Sequence, residues 1–98
     1  QIILDGGIQR GSDVIKAIAL GADAVAIGKM QGWGISADGS EGLIRALNIF
    51  KQEIGITMKL LGVTTLTSLN DSYVCEATPT SNPHEMSSWV NMPESRIQ

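Results

Sequence analysis

Two short glycine-containing turns hold the residues of this sequence that are best suited to chemistry: Asp5, Gly6 and Gly7 in the first, Gly28 and Lys29 in the second. Glycine lets the backbone approach an anion closely and direct N–H groups at it, and lysine supplies a point charge. Such a pair of turns suits a phosphate-bearing ligand. The alternative is that the glycines only permit sharp turns between strands and helices, which is their ordinary use in loops.

Each turn follows a short apolar run that is typical of a buried strand. The runs are residues 2–4 and 24–27, and the second has no polar alternation, which predicts a strand covered on both faces. Between them we expect a helix with Ser12 as its N-cap, Asp13 in its first turn and Gly21 at its end. The order strand, helix, strand indicates a βαβ unit with a right-handed crossover, which would place both turns at one edge of a sheet.

The next part of the chain is predicted to be a loop followed by a long helix. Three glycines lie between residues 30 and 39, and Ser40 with Glu41 begin a helix that ends at Gly62. Apolar residues recur along this helix at steps of three or four: Leu43, Leu47, Phe50, Ile54, Met58 and Leu61. Further apolar residues widen the stripe, so the helix needs a large partner surface.

The end of the chain carries weaker signals. Residues 64–71 are compatible with one short helical turn capped by Thr or Ser. Residues 74–98 have no periodicity and are predicted to form an extended or mobile tail, which contains the single histidine, His84.

Composition argues against several classes of function. The net charge is −3 and the seven Lys and Arg are scattered, which argues against a nucleic-acid partner. The single Cys75 excludes an intrachain disulfide, and with one histidine in the chain a zinc site is not expected. No apolar run approaches the roughly 18 residues that span a membrane. The sequence therefore predicts a soluble, cytoplasmic protein without a metal.

Two long stretches resemble the C-terminal end of a known family. DGGIQRGSDVIKAIALGADAVAIGK and GWGISADGSEGLIRALNIFKQEIGITMKLLGVTTLTSL are similar to the FMN-dependent α-hydroxy acid oxidases and dehydrogenases, the family of glycolate oxidase, lactate oxidase, mandelate dehydrogenase and flavocytochrome b2. The resemblance covers residues 1–73 and leaves out the tail 74–98. It implies an α/β fold, the C-terminal fragment of a (β/α)8 TIM barrel with residues 1–5 and 24–28 as its last two strands.

The resemblance also implies a cofactor and a reaction. The parent enzyme would use FMN to oxidise a small 2-hydroxy acid to the 2-oxo acid, with these residues at the FMN phosphate and ribityl end: Asp5, Gly6, Gly7, Gln9, Gly28 and Lys29. Gln9 and Lys29 stand where the family has arginine, so a bidentate guanidinium is lost at both positions. Arg10 is retained, either to substitute for the lost charge or as a solvated loop residue.

The catalytic residues of the family are not in this sequence. The resemblance places the base histidine and the arginine that binds the substrate carboxylate on a segment before residue 1, and His84 is more simply a solvated tail residue. We therefore expect the chain to be part of a longer protein and inactive alone. Because two strands leave both edges of a sheet open, the rest of a barrel or copies of the same chain must complete it, which predicts a homo-oligomer or self-association.

Two alternatives stay open. IMP dehydrogenase and type 2 isopentenyl diphosphate isomerase have similar phosphate-binding strands, so the first 28 residues alone also fit a barrel that acts on a nucleotide or a prenyl diphosphate. The other alternative is a non-catalytic module in which the wide apolar face of the long helix drives self-association.

Overall fold

The computed structural model describes residues 1–78, so the predicted tail beyond residue 78, with His84, lies outside the described residues. The elements are β1 (Ile3–Asp5), α1 (Gly11–Ala19), β2 (Ala24–Ala26) and α2 (Lys29–Leu61), followed by two 3-10 turns (Leu66–Ser68 and Asp71–Tyr73). β1 and β2 pair in parallel, with Ile3 opposite Ala24 and Asp5 opposite Ala26. The predicted βαβ unit is confirmed.

Asp23 ties the amino ends of the two strands together. The Ile2 N–H donates to Asp23 Oδ2 at 2.7 Å, and the Asp23 N–H donates to the Ile2 carbonyl at 2.9 Å. These reciprocal bonds hold the register of the short ladder, so that β1 and β2 end at matched positions.

Helix α1 starts earlier than predicted. Arg10, with extended backbone angles (φ −133°, ψ 157°), is at the N-cap position, so the prediction of Ser12 as the cap is wrong. The expected position of Asp13 in the first turn is confirmed. Its Oδ2 accepts hydrogen bonds from the backbone N–H groups of Gln9 at 3.0 Å and Arg10 at 2.9 Å. The predicted end is also confirmed, since Gly21 follows the helix with φ 108°.

Helix α2 is longer than predicted and sharply bent. The predicted loop at residues 30–39 is wrong, because the backbone is helical from Lys29 and only Asp38 (φ −158°, ψ 39°) and Gly39 (φ 55°, ψ −138°) leave the helical region. Residues 29–37 are called here the first arm of α2 and residues 40–61 the second arm. The second arm begins where the sequence predicts the long helix, and it ends at Gly62 as expected.

The core lies between α1, the second arm and the segment that follows it. Its buried residues are Ile15, Ala19, Val63 and Leu69, with Ile18, Ile54, Met58, Leu61 and Val74 packed against them. The predicted apolar stripe is confirmed at Phe50, which is buried, and wrong at Leu47, which is 48% exposed. Packing against α1 therefore covers only part of the second arm.

The sheet lies outside this core. All three residues of β1 are exposed and β2 is at most half-buried, so the predicted covering of the second strand on both faces is not found within residues 1–78. Ile2 and Ile3 are 61% and 67% exposed. The apolar strands thus present an open surface to solvent.

The segment after α2 forms two 3-10 turns instead of the single turn predicted. The first lies in the predicted range and has Thr65 at its N-cap position, as expected, although Thr65 makes no side-chain capping bond. The second is capped by Asn70, whose Oδ1 accepts the Ser72 N–H at 2.9 Å. Among residues 1–78, no helix combines the length and the apolar character needed to cross a membrane.

Candidate functional site

The carboxyl edge of the sheet brings the two glycine turns to neighbouring positions. Asp5 pairs with Ala26, so the chain leaves β1 and β2 side by side, and the two turns begin at the same edge. This is the edge of a parallel sheet at which loops gather and ligands bind. The structure therefore puts the two groups of predicted site residues on adjacent strand ends.

In the first turn, the backbone conformation requires glycine. Gly6 and Gly7 have φ values of 99° and 74°, a region that residues with side chains rarely adopt. A Cβ at either position would meet no atom within 4 Å, so it is not crowding that excludes a side chain. The turn after Asp5 is thus a bare stretch of backbone, open to the approach of a ligand.

The second turn is the N-terminus of a helix. Gly28 is the N-cap and Lys29 is the first residue of α2. The first N–H groups of a helix have no acceptor within the helix and form the positive end of its dipole. The first turn of α2 contains no acidic residue that would occupy this end. A helix start with a lysine is suited to an anion.

Sequence reasoning missed this helix start. Gly32 and Gly34 are typical of loops and suggest that the segment is irregular. The apolar pair Met30 and Trp33, three residues apart, is the available sign of a helix, and it is too short to outweigh the glycines. The first arm is therefore the part of the site that only the structure reveals.

Glu53, which the sequence does not single out, closes the N-terminus of α1. Its Oε2 accepts the Gly11 N–H at 2.7 Å, and its Oε1 accepts Nε and Nη2 of Arg10 at 2.9 Å and 2.6 Å. The hydrogen bond from Arg10, followed by that from the Gly11 N–H, lowers the pKa of Glu53 below its ordinary value. The same pairing raises the pKa of Arg10.

Arg10 is thus paired across the molecule. Its side chain is 71% exposed, in keeping with a loop residue, but its guanidinium is bound to a Glu53 side chain that is only 22% exposed. The predicted role as a substitute phosphate ligand is not tested by this arrangement. Its charge is already engaged by a residue 43 positions away in sequence.

The start of α1 packs directly on the second arm of α2. A Cβ at Gly11 would lie 2.5 Å from Cβ of Glu53 and 2.6 Å from the backbone nitrogen of Ile54. No side chain fits there without moving backbone. At Gly11, close packing is what excludes a side chain. At Gly6 and Gly7, it is the positive φ angle that excludes one.

Gln9 lies at the join between the first turn and α1. It is partly buried, and its backbone N–H donates to Asp13. This backbone donor is used within the protein, so the predicted contact with FMN concerns the side-chain amide.

Comparison with known proteins identifies the family. Residues 1–76 match the model of the family described as FMN-dependent dehydrogenase. The chain belongs to this family. FMN is the cofactor that the family's description names, and the resemblance inferred from the sequence is confirmed.

Two curated relatives of this FMN-dependent dehydrogenase family member are oxidases. A 2-hydroxyacid oxidase from Dictyostelium discoideum is 45% identical over 73 residues, which are 74% of this chain and 19% of the relative. A peroxisomal (S)-2-hydroxyacid oxidase from Arabidopsis thaliana is 42% identical over 73 residues, which are 74% of this chain and 20% of the relative. The chain spans about a fifth of the length of these relatives.

A solved structure agrees with the sequence comparison. A mutant flavocytochrome b2 with benzoylformate has a TM-score of 0.72 and 32% sequence identity, over 83% of this chain and 23% of that chain. The described elements are thus arranged as they are in a flavoenzyme of the same family.

Proposed function

We propose that this chain forms the phosphate end of the FMN site of an oxidoreductase that converts a small 2-hydroxy acid to the 2-oxo acid. The observation that carries the proposal is the pairing of Asp5 with Ala26, which sets two glycine turns side by side at the carboxyl edge of a parallel sheet. The family match supports FMN as the anionic ligand. The names of the two oxidase relatives support the reaction.

The same proposal explains the open sheet. β1 and β2 are the last two strands of a (β/α)8 barrel, and residues 1–73 are its last two βα units. Parallel sheets are normally buried on both faces, whereas Ile2 and Ile3 are 61% and 67% exposed here. Further strands and helices of the barrel would cover these side chains. The likeness to flavocytochrome b2 over 83% of the chain supports this arrangement.

At the second turn, the start of α2 holds the phosphate. The N–H groups that follow Gly28 donate to phosphate oxygens, and the Lys29 ammonium balances their charge. No acidic residue in the first turn of the helix opposes this binding. The phosphate group thus replaces the missing cap of α2.

At the first turn, a Cβ at Gly6 or Gly7 would meet no atom within 4 Å, so the cofactor could approach this bare backbone directly. The carboxylate of Asp5 accepts a hydrogen bond from a ribityl hydroxyl, and the Gln9 amide donates to the phosphate. Gln9 is neutral, so this contact is weaker than that of the arginine usual in the family.

FMN supplies the two-electron acceptor for the oxidation. The residues of this chain bind and orient it, and the family resemblance assigns the proton-accepting histidine and the arginine for the substrate carboxylate to a preceding segment. We therefore expect the 98-residue chain to be inactive by itself.

The test of the flavin site uses the protein expressed from its complete reading frame. Flavin-free protein is titrated with FMN and with riboflavin, which lacks the phosphate, and binding is followed by flavin fluorescence. We expect FMN to bind at least about tenfold more tightly, since charge-assisted hydrogen bonds to the phosphate are lost with riboflavin. Equal affinities would contradict a phosphate site.

A pair of lysine variants locates the site. Lys29→Met should reduce the preference for FMN over riboflavin, because it removes the charge at the start of α2. Lys51→Met, in the second arm, is the matched control and should leave the preference unchanged. If both variants kept the preference for FMN over riboflavin, Lys29 would not contact the phosphate.

The reaction is tested with flavin-loaded protein and a panel of lactate, glycolate and mandelate. We expect at least one to yield its 2-oxo acid, measured by chromatography. Turnover of IMP or of a prenyl diphosphate, with none of the hydroxy acids oxidised, would favour the alternative barrels. The family description as FMN-dependent supports the hydroxy acid over these substrates.

We also propose a cytoplasmic homo-oligomer. The exposed apolar side chains of the second arm, such as Ile44 and Leu60 at 50% and 83%, offer a surface for a second copy or for the rest of the barrel. Analytical ultracentrifugation of the complete protein checks the assembly, and a monomer would contradict it. A fluorescent fusion checks the compartment, and a peroxisomal signal, as the name of the Arabidopsis relative suggests, would contradict the cytoplasmic location.

A further inference from the structure

We infer that Glu53 is a positioning residue for the phosphate end of the flavin site, an inference that rests on the proposed function. Glu53 lies in the second arm of α2, away from both glycine turns in sequence. It acts on the first turn through Gly11 and on the second turn through the helix that carries it.

Three consecutive backbone donors at the start of α1 are bound by carboxylates of the protein itself. The consecutive backbone N–H groups of Gln9 and Arg10 donate to Asp13 at 3.0 Å and 2.9 Å, and that of Gly11 donates to Glu53 at 2.7 Å. Two carboxylates and one guanidinium give this end a net negative side-chain charge. A phosphate is therefore held elsewhere, by the bare turn before α1 and by the start of α2.

Glu53 fixes the bare turn from its far side. Only three residues separate Gly7 from Gly11, and Ile8 between them is buried. On the near side, the turn is fixed by Asp5 in the ladder of β1 and β2. With Gly11 held by a hydrogen bond and by direct packing on Glu53, the turn has little freedom to leave its ligand-binding conformation.

The same residue connects the two turns. α2 begins at Lys29 in the second turn, and its second arm presents Glu53 to the loop that follows the first turn. A carboxylate in this place sets the distance between the groups that contact the phosphate. Preorganisation of this kind raises affinity because less conformational freedom is lost on binding.

The experiment measures the FMN and riboflavin affinities of Glu53→Ala and Glu53→Gln in the complete protein. We expect Glu53→Ala to weaken FMN binding about tenfold and riboflavin binding less than about twofold, since the affected contacts are those to the phosphate. Glu53→Gln keeps an oxygen for the Gly11 N–H and should lose only about threefold for FMN.

Two controls make the result specific. Glu41→Gln removes an exposed carboxylate from the same arm and should change neither affinity. Arg10→Met breaks the ion pair but keeps the bond from Glu53 to Gly11, so its FMN affinity should stay within about threefold.

The inference is overturned if Glu53→Gln and Glu53→Ala leave FMN binding unchanged, or if both flavins weaken equally, as a purely structural role requires. If Glu53→Ala fails to fold, the test is whether Glu53→Gln weakens the binding of FMN more than that of riboflavin. If the unsubstituted protein does not prefer FMN to riboflavin, the proposed function fails before the variants are measured.

Discussion

The N-termini of α1 and α2 follow similar sequence patterns and have opposite electrostatics. Each helix comes after a parallel strand and a glycine, and both strands end at the same edge of the sheet. The start of α1 is occupied by the carboxylates of Asp13 and Glu53, whereas the first turn of α2 contains no acid. A glycine turn before a helix is thus open to an anion only where the protein has not already capped the helix with its own carboxylates.

The difference suggests separate roles for the N-termini of α1 and α2. In the proposed site, the capped helix would hold the bare turn at Gly6 and Gly7 in place, and the start of α2 would offer donors to the ligand. The bend at Gly39 makes this possible, because it lets one continuous α2 begin at the sheet edge and then pack on α1. Four predictions test this difference between the two helix starts.

The largest effect is expected at the bend. A Cβ at Gly42 would collide with the carbonyl oxygen of Gly34, across the two arms. Gly42→Ala should lower the free energy of unfolding by about 3 kcal/mol and displace the start of α2, with weaker FMN binding. Gly55→Ala is the control, since its Cβ meets open space and alanine should stabilise the helix by about 0.5–1 kcal/mol. Urea denaturation of the complete protein measures both, and equal effects would contradict the packing at the bend.

The second effect is expected at the capped end. Asp13→Ala removes the acceptor of the Gln9 and Arg10 N–H groups, so the free energy of unfolding should fall by about 1 kcal/mol. Ser12→Ala should cost less, because Ser12 is not the cap that the sequence predicts. If Ser12→Ala lowered the free energy of unfolding more than Asp13→Ala in the same experiment, Ser12 and not Asp13 would be the side chain that caps α1.

The third effect is expected at the uncapped end. Gln31→Glu adds a carboxylate to the first turn of α2, where it competes with the phosphate for the helix terminus. FMN binding should weaken about threefold, while thermal stability without flavin rises slightly. Gln52→Glu adds the same charge to the second arm and should leave FMN binding unchanged. Tighter FMN binding by Gln31→Glu would show that this helix start does not face the phosphate.

The smallest effect is a pH dependence of Glu53. Its pKa is lowered in the folded protein from an ordinary value of 4.5. The carboxylate therefore contributes stability that is fully present above about pH 4.5 and is lost as pH falls through the lowered folded pKa. The difference in melting temperature between the unsubstituted protein and Glu53→Gln should be constant at neutral pH and shrink below pH 4.5. A difference that grows on acidification would contradict the assignment.

Local signals predicted the elements with regular periodicity or clear end residues. The apolar runs before Gly6 and Gly28 predicted two strands, and Gly21 and Gly62 marked the ends of the two helices. The first arm of α2 was not predictable in this way, because Gly32 and Gly34 resemble loop glycines, whereas Gly34 lies within a helix and packs against Gly42 at the bend. At Leu47 the error is the reverse, since its apolar character fits the stripe but its side chain is 48% exposed.

The order strand, helix, strand was predictable from the sequence because it depends on residues near one another in the chain, and the resemblance to the family implied the six residues proposed to contact FMN. The second carboxylate at the start of α1 was revealed by the tertiary structure alone. The deciding bond joins Gly11 to Glu53, 42 positions apart, and a glutamate in the middle of a long helix carries no local sign of the partner it will meet. Helix packing brings these groups together because Gly11, without a side chain, lets the two backbones touch.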